Sequence, residues 1–240
     1  MLDNSRFDVR SGNGGAYATD TGRSTGISAE ATKVLRNTYT LLAMTLLFSA
    51  VMAAVSMSIG LSQGASLICS LGALGLVWLV LPRTANSSSG IAVVFAFTGL
   101  LGLSLGPLLM HYLAFQGGSQ IVVQALGGTA FVFLGLSGYV LTTKKDFSFM
   151  RGFLVAGMMV VLVALVGSII ASFFGVEMSA FSLAISGAIV FLMSGFILYD
   201  TSRIVNGGET NYIMATTSLY LSIYNLFVSL LHILGALNDD

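Results

Sequence analysis

The chain has 240 residues, 55% of them hydrophobic and only 8% charged, with a formal net charge of zero. Soluble domains carry roughly 25% charged residues, so this composition, with a mean hydropathy of +0.91, excludes an ordinary water-soluble fold. A balanced charge gives no electrostatic footing for nucleic-acid binding, and a single cysteine rules out an internal disulfide.

Residues 1–32 differ in kind from the rest. Gly, Ser, Thr and mixed charges dominate the first 30 positions, with almost no large apolar side chain. Such a segment cannot bury enough surface to offset its chain entropy, so a disordered N-terminal tail is expected. It has no apolar core of its own and does not read as a cleavable signal peptide. It is either a solvated leader without a role or a flexible handle for a cytoplasmic partner.

A membrane span needs about 20 predominantly apolar residues. Seven stretches qualify after the tail, at approximately 37–59, 64–82, 91–112, 120–142, 152–174, 179–202 and 213–236. Residues 33–240 are therefore predicted to form an all-α membrane protein, a seven-transmembrane-helix bundle. The connections are short, so consecutive helices are expected to be antiparallel neighbours.

The ten basic residues fall in alternate gaps between these spans. Arg6, Arg10, Arg23, Lys33 and Arg36 precede the first, Arg83 follows the second, Lys144, Lys145 and Arg151 lie around the fourth gap, and Arg203 follows the sixth. Lys and Arg are retained on the cytoplasmic face, which predicts a cytoplasmic N-terminus and, after seven crossings, a C-terminus on the opposite side.

Cys69, inside the second span, reads as a small packing residue. The third span carries Gly99, Gly102 and Gly106, and the fourth Gly127, Gly128, Gly135 and Gly138. Small residues let helix backbones approach closely where lipid offers no hydrophobic drive for association. Both glycine sets are expected at helix contacts.

Asp200 is the only acidic residue within any predicted span, one turn before Arg203. Intramembrane ionisable groups are functional candidates. The two form either a structural i,i+3 ion pair or a pH-responsive latch. In the seventh span Ser218, Ser222, Asn225, Ser229 and His232 recur at spacings of four, three, four and three, which puts them on one face. Over roughly 21 Å of helix, five polar side chains facing lipid would lack partners. That face must point into the bundle, as interhelical glue or as the wall of a polar pathway.

Enzyme chemistry finds no footing. Residues 135–138, Gly-Leu-Ser-Gly, match an intramembrane serine protease motif, but Ser137 needs a histidine as base. His111 and His232 are both expected at the opposite face of the membrane. One intramembrane aspartate cannot make an aspartyl dyad. Two histidines and one cysteine cannot assemble an ordinary metal site, and the glycines lie in apolar spans without the strand-to-helix context of a nucleotide fingerprint. No cofactor is expected.

Longer runs carry a resemblance. KVLRNTYTLLAMTLLFSA at 33–50, FAFTGLLGLSLGPLL at 95–109, ALGGTAFVF at 125–133 and YVLTTKKDFSF at 139–149 are similar to the Bax inhibitor-1 family, bacterial branch. So are LYDTSRIVNGGETNY at 198–212 and SLYLSIYNLFVSLLHILG at 218–235. The resemblance covers nearly all of residues 33–236. It implies a bundle with the last helix central, wrapped by the other six. It also implies a bacterial inner-membrane protein associated with the FtsH protease and the HflK/HflC complex, a brake on that protease and a slow substrate through its tail. Other members of the family behave as pH-sensitive calcium leaks through paired aspartates in the last two helices. Asp200 matches the first of that pair, and Ser222 stands at the second. A proton shared between two carboxylates needs two acids. The resemblance therefore favours a protease modulator, with a pH-sensitive calcium or ion leak gated by Asp200 as the alternative.

Overall fold

The computed structural model describes residues 27–175 and 179–238. Seven helices in it are long and apolar enough to cross a membrane. We number them α1 (Ala29–Ser58), α2 (Gln63–Thr84), α3 (Ser89–Leu113), α4 (Gly118–Thr143), α5 (Arg151–Phe173), α6 (Ser179–Val205) and α7 (Tyr212–Asn238). The expected tail lies outside the described residues as far as residue 26, while its last residues, from Ala29, are helical. The cause is local. Ser28 caps α1 by accepting from the Ala31 N–H at 3.1 Å, and Glu30 complements the helix dipole in the first turn.

The last helix is central. In α7, 50% of the apolar window is buried, against 11% for α2 and for the span that includes α5. It packs directly on α1, α3, α4 and α6, whereas α2 and α5 are carried outside by α3 and α6. The core beside α7 includes Phe97, Leu219, Tyr220 and Ile223 on one side and Leu192, Ile197 and Leu226 on another. "Wrapped by the other six" therefore becomes four helices in close contact and two at the periphery.

Neighbourhood in sequence fails twice. Among the described residues α1 makes its closest approach to α3 and none to α2, and α4 and α5 do not pack together. The reason for the first lies in α3. A side chain at Gly102 would overlap the Ser49 carbonyl of α1, and one at Gly106 would overlap the Ser56 hydroxyl. The reason for the second lies in the α4–α5 connection. Ser202, at the end of α6, accepts from the Phe147 N–H at 2.9 Å and donates to the Lys145 carbonyl at 3.1 Å, drawing that loop across to α6.

The α4 glycines behave differently from those of α3. Gly127, Gly135 and Gly138 face open space, and only Gly128 meets a neighbour, Leu230, at 3.3 Å. The expectation that this second set marks a close helix contact is corrected. α1 and α4 leave between them an apolar crevice of about 440 Å3 that reaches α7 at Tyr220 and Tyr224.

Two prolines are accommodated without breaking their spans. Pro82 follows a π-helical turn at Leu76–Val80, which takes up the backbone disturbance of a missing N–H. Pro107 leaves the Leu103 carbonyl without its helical donor, and the Ser56 hydroxyl donates to it at 2.7 Å. Gly106 makes room for that approach.

The α6–α7 turn

α6 ends on Gly207, whose φ of +76° suits glycine. The Gly208 N–H reaches back to the Arg203 carbonyl at 2.8 Å and the Gly207 N–H to the Ile204 carbonyl at 3.2 Å, a Schellman termination. The Asn-Gly pair at 206–207 is thus a tight turn, as its composition suggests. Asn211 then caps α7, accepting from the N–H groups of Ile213 and Met214 at 2.9 and 3.1 Å. Its amide donates to the Ala85 carbonyl and the Asn86 side chain, at 3.1 and 2.8 Å. The α2–α3 and α6–α7 connections are joined there. With the α4–α5 loop tied to Ser202, every described Lys and Arg falls at this one end of the bundle.

Candidate functional site

Asp200 and Arg203 part company. The Arg203 guanidinium pairs with Glu209 at 3.0 Å, donates to the Gly208 carbonyl at 3.3 Å and lies 5.6 Å from the Tyr199 ring centroid. Of the two readings left open for this pair, the i,i+3 ion pair with Asp200 does not form, because the tight turn brings Glu209 back to Arg203 while Asp200 turns inward to α7. There the Ser218 hydroxyl donates to its carboxylate at 2.5 Å. Asp200 is buried, and it lines a small pocket of about 120 Å3 with Arg203, Glu209 and Ser218.

The polar stripe of α7 does face protein, but it does not line one continuous space. Ser218 opens on the Asp200 pocket, and Ser222 is buried four residues further on. Asn225 donates to the Leu221 carbonyl of its own helix at 2.8 Å and borders a crevice of about 200 Å3 shared with α2. Ser229 and His232 border a third pocket, of about 260 Å3, with Tyr112, Ser182 and Ser186. The three pockets have no lining residue in common. His232 is held at both ring nitrogens, Nδ1 3.3 Å from the Tyr112 hydroxyl and Nε2 3.3 Å from that of Ser182. Neutral imidazole has one donor and one acceptor nitrogen, and two rotatable hydroxyls can serve both.

Ser137 meets Thr201 at 3.4 Å, beside Asp200 and at the opposite end of α7 from His232. No histidine among the described residues lies within hydrogen-bonding reach of its hydroxyl. Among the described residues no three His, Cys, Asp or Glu converge as a metal site would require.

The residues that sequence reasoning passed over lie on the other face of α7. The Tyr220 hydroxyl is 2.6 Å from that of Ser49 in α1, and its ring meets Phe97 edge-on at 5.4 Å. The Tyr224 hydroxyl is 3.1 Å from Ser104 in α3, whose carbonyl accepts from Ser66 of α2 at 2.7 Å. Tyrosines at mid-span depth, away from the interfacial belts where their type concentrates, were the available signal. A buried phenol needs a hydrogen-bond partner.

Comparison with known proteins places this architecture. Residues 31–239 match the family described as inhibitor of apoptosis-promoting Bax1. A membrane protein of Vibrio cholerae is 53% identical over 211 residues, 88% of this chain and 92% of its own. The modulator of FtsH protease YccA of Escherichia coli K12 is 50% identical over 208 residues, 87% of this chain and 92% of its own. The inner membrane protein YccA of Escherichia coli O6:H1 has the same identity and coverage. With the match running through all seven helices, the chain belongs to the Bax inhibitor-1 family.

Proposed function

We propose that this chain is an inner-membrane interaction protein that binds and inhibits the ATP-dependent membrane protease FtsH, and is no enzyme itself. The observation that carries this is its 50% identity, over nearly its whole length, to a modulator of that protease. The N-terminus lies in the cytoplasm and the C-terminus in the periplasm, an orientation supported by the gathering of the described Lys and Arg at one end. HflK and HflC, companions of the protease, complete the assembly.

The packing gives the proposal a mechanism. A pull on the N-terminal tail is transmitted first to α1. That helix is joined to α3 at Gly102 and Gly106 and to α7 through Ser49 and Tyr220. Extraction must break these contacts and move apolar side chains out of lipid, a large unfavourable transfer for each span. A substrate with an accessible handle and a body that resists extraction occupies the protease and delays its other substrates. Deleting residues 1–25 is expected to lengthen the half-life of the chain and to relieve inhibition, measured by FtsH degradation of a second membrane protein. Unaltered half-life and unaltered inhibition would sink the handle mechanism, and failure of the full chain to co-purify with FtsH would sink the function.

A pH-sensitive ion leak is the alternative, favoured by one observation: a buried carboxylate, Asp200, held by a single serine on α7. Flux of calcium or protons into liposomes is then expected to vary with pH for the wild type and to lose that dependence in Asp200→Asn. Flux no greater than in protein-free liposomes removes this alternative.

A further inference from the structure

We propose that the α4–α5 connection is a binding site for the headgroup of an anionic phospholipid, with Lys145 and Arg151 meeting the phosphate and Phe149 anchored among the acyl chains. Residues 144–151 hold three cations, Lys144, Lys145 and Arg151, against one acid, Asp146, so the segment carries a net charge of +2 (3 − 1). All three cations are exposed. The acid is occupied within the loop, its carboxylate accepting from the Ser148 N–H at 2.8 Å and the Ser148 hydroxyl at 2.5 Å. Asp146 thus forms no ion pair with Lys145 or Arg151, and both of these cations are exposed to an outside partner.

Aromatic rings sit at the same depth. Tyr139, Phe147 and Phe149 form a chain with centroids 6.2 and 6.3 Å apart. The Lys145 ammonium lies 5.8 Å from the Tyr139 ring, and Phe149 is 79% exposed. One amphipathic ring, Tyr139, and two apolar ones, Phe147 and Phe149, beside cations at the end of a span match the boundary between headgroup and hydrocarbon. α5, which continues from this loop, is exposed along most of its length, so among the described residues that side of the site is open. The loop is also fixed before a lipid arrives, since Ser202 bonds the backbone on either side of Asp146. A pre-formed loop loses little entropy on binding. Charge complementarity selects an anionic over a zwitterionic lipid.

The test uses the full chain, purified in detergent and titrated with phosphatidylglycerol or phosphatidylcholine, with lipid adducts counted by native mass spectrometry. Wild type is expected to hold phosphatidylglycerol more tightly. The double variant Lys145→Gln, Arg151→Gln should weaken that binding at least about fivefold, and Arg83→Gln, an exposed cation at the same end, less than about twofold. Equal affinity for the two lipids, or an equal loss in Arg83→Gln, overturns the proposal. A second measurement needs no variant: in nanodiscs, acetylation of Lys145 relative to Lys33 should be slower in phosphatidylglycerol than in phosphatidylcholine, and an unchanged ratio overturns it too. If the double variant keeps its lipid but no longer captures FtsH, the loop is a protein-binding surface and the lipid assignment is wrong.

Discussion

A proline inside a span frees a carbonyl that hydrocarbon cannot satisfy, and Ser56 shows how this chain answers that need. Its hydroxyl donates across the α1–α3 interface to the Leu103 carbonyl, one turn before Pro107. Ser56→Ala is expected to lower stability by about 1–2 kcal/mol, read as a fall in Tm of the detergent-solubilised protein. Ser58→Ala is the matched control, because the Ser58 hydroxyl is exposed and returns to its own helix at the Ala54 carbonyl; its Tm should not change. Asp146 makes a residue-scale prediction about pH. The Ser148 hydroxyl and N–H hold its carboxyl below the ordinary aspartate value of 3.8. A depressed pKa contributes stability that is present above the unfolded value and lost as pH falls through the folded one. Hydrogen exchange at the Ser148 amide should therefore stay protected at neutral pH and lose protection only in strong acid, while Asp146→Ala, which removes the acceptor, should lose it at every pH.

At the scale of helices, glycine content alone did not distinguish a contact from a lipid-facing surface. α3 and α4 are both glycine-rich, yet Gly99, Gly102 and Gly106 of α3 press on α1, whereas of the four α4 glycines only Gly128 meets a neighbouring helix. A methyl group at Gly106 would collide with Ser56, and overpacking of this kind costs about 1–3 kcal/mol. At Gly135 a methyl meets nothing within 4 Å and should add up to about 1 kcal/mol of helix propensity. Gly106→Ala is expected to lower Tm and, if α1 is the first element drawn by FtsH, to hasten degradation. Gly135→Ala should leave both unchanged or improve them. Equal effects of the two would mean that the α1–α3 seam does not limit extraction. The α7 stripe teaches a similar lesson. Its period placed Ser218, Ser222, Asn225, Ser229 and His232 on one inward face, but period says nothing of whether the spaces beside that face connect. Partners from α2, α3, α5 and α6 divide them into separate pockets.

For the whole molecule, the orientation proposed above has a direct check. A fusion that is active only outside the cytoplasm, such as alkaline phosphatase, is expected to be active when joined after Asn238 and inactive when joined before Met1. The reverse pattern would place the basic end outside and remove the cytoplasmic tail on which the handle mechanism depends.

The seven spans, the all-helical class and the family were legible in the sequence, because each rests on local hydropathy or on long runs of residue identity. Span boundaries moved by a few residues at most, except at α1, where the Ser28 cap starts the helix earlier than apolarity does. The inward orientation of the α7 stripe could also be read, since unsatisfied polar groups are excluded from lipid wherever the chain goes. Which groups they meet could not. Arg203 turns to Glu209 and Asp200 to Ser218; α1 passes over α2 to reach α3; Tyr220 and Tyr224 find serines on other helices. Those choices depend on how rigid helices stack in three dimensions, and contacts between distant residues leave no periodic trace along the chain that makes them.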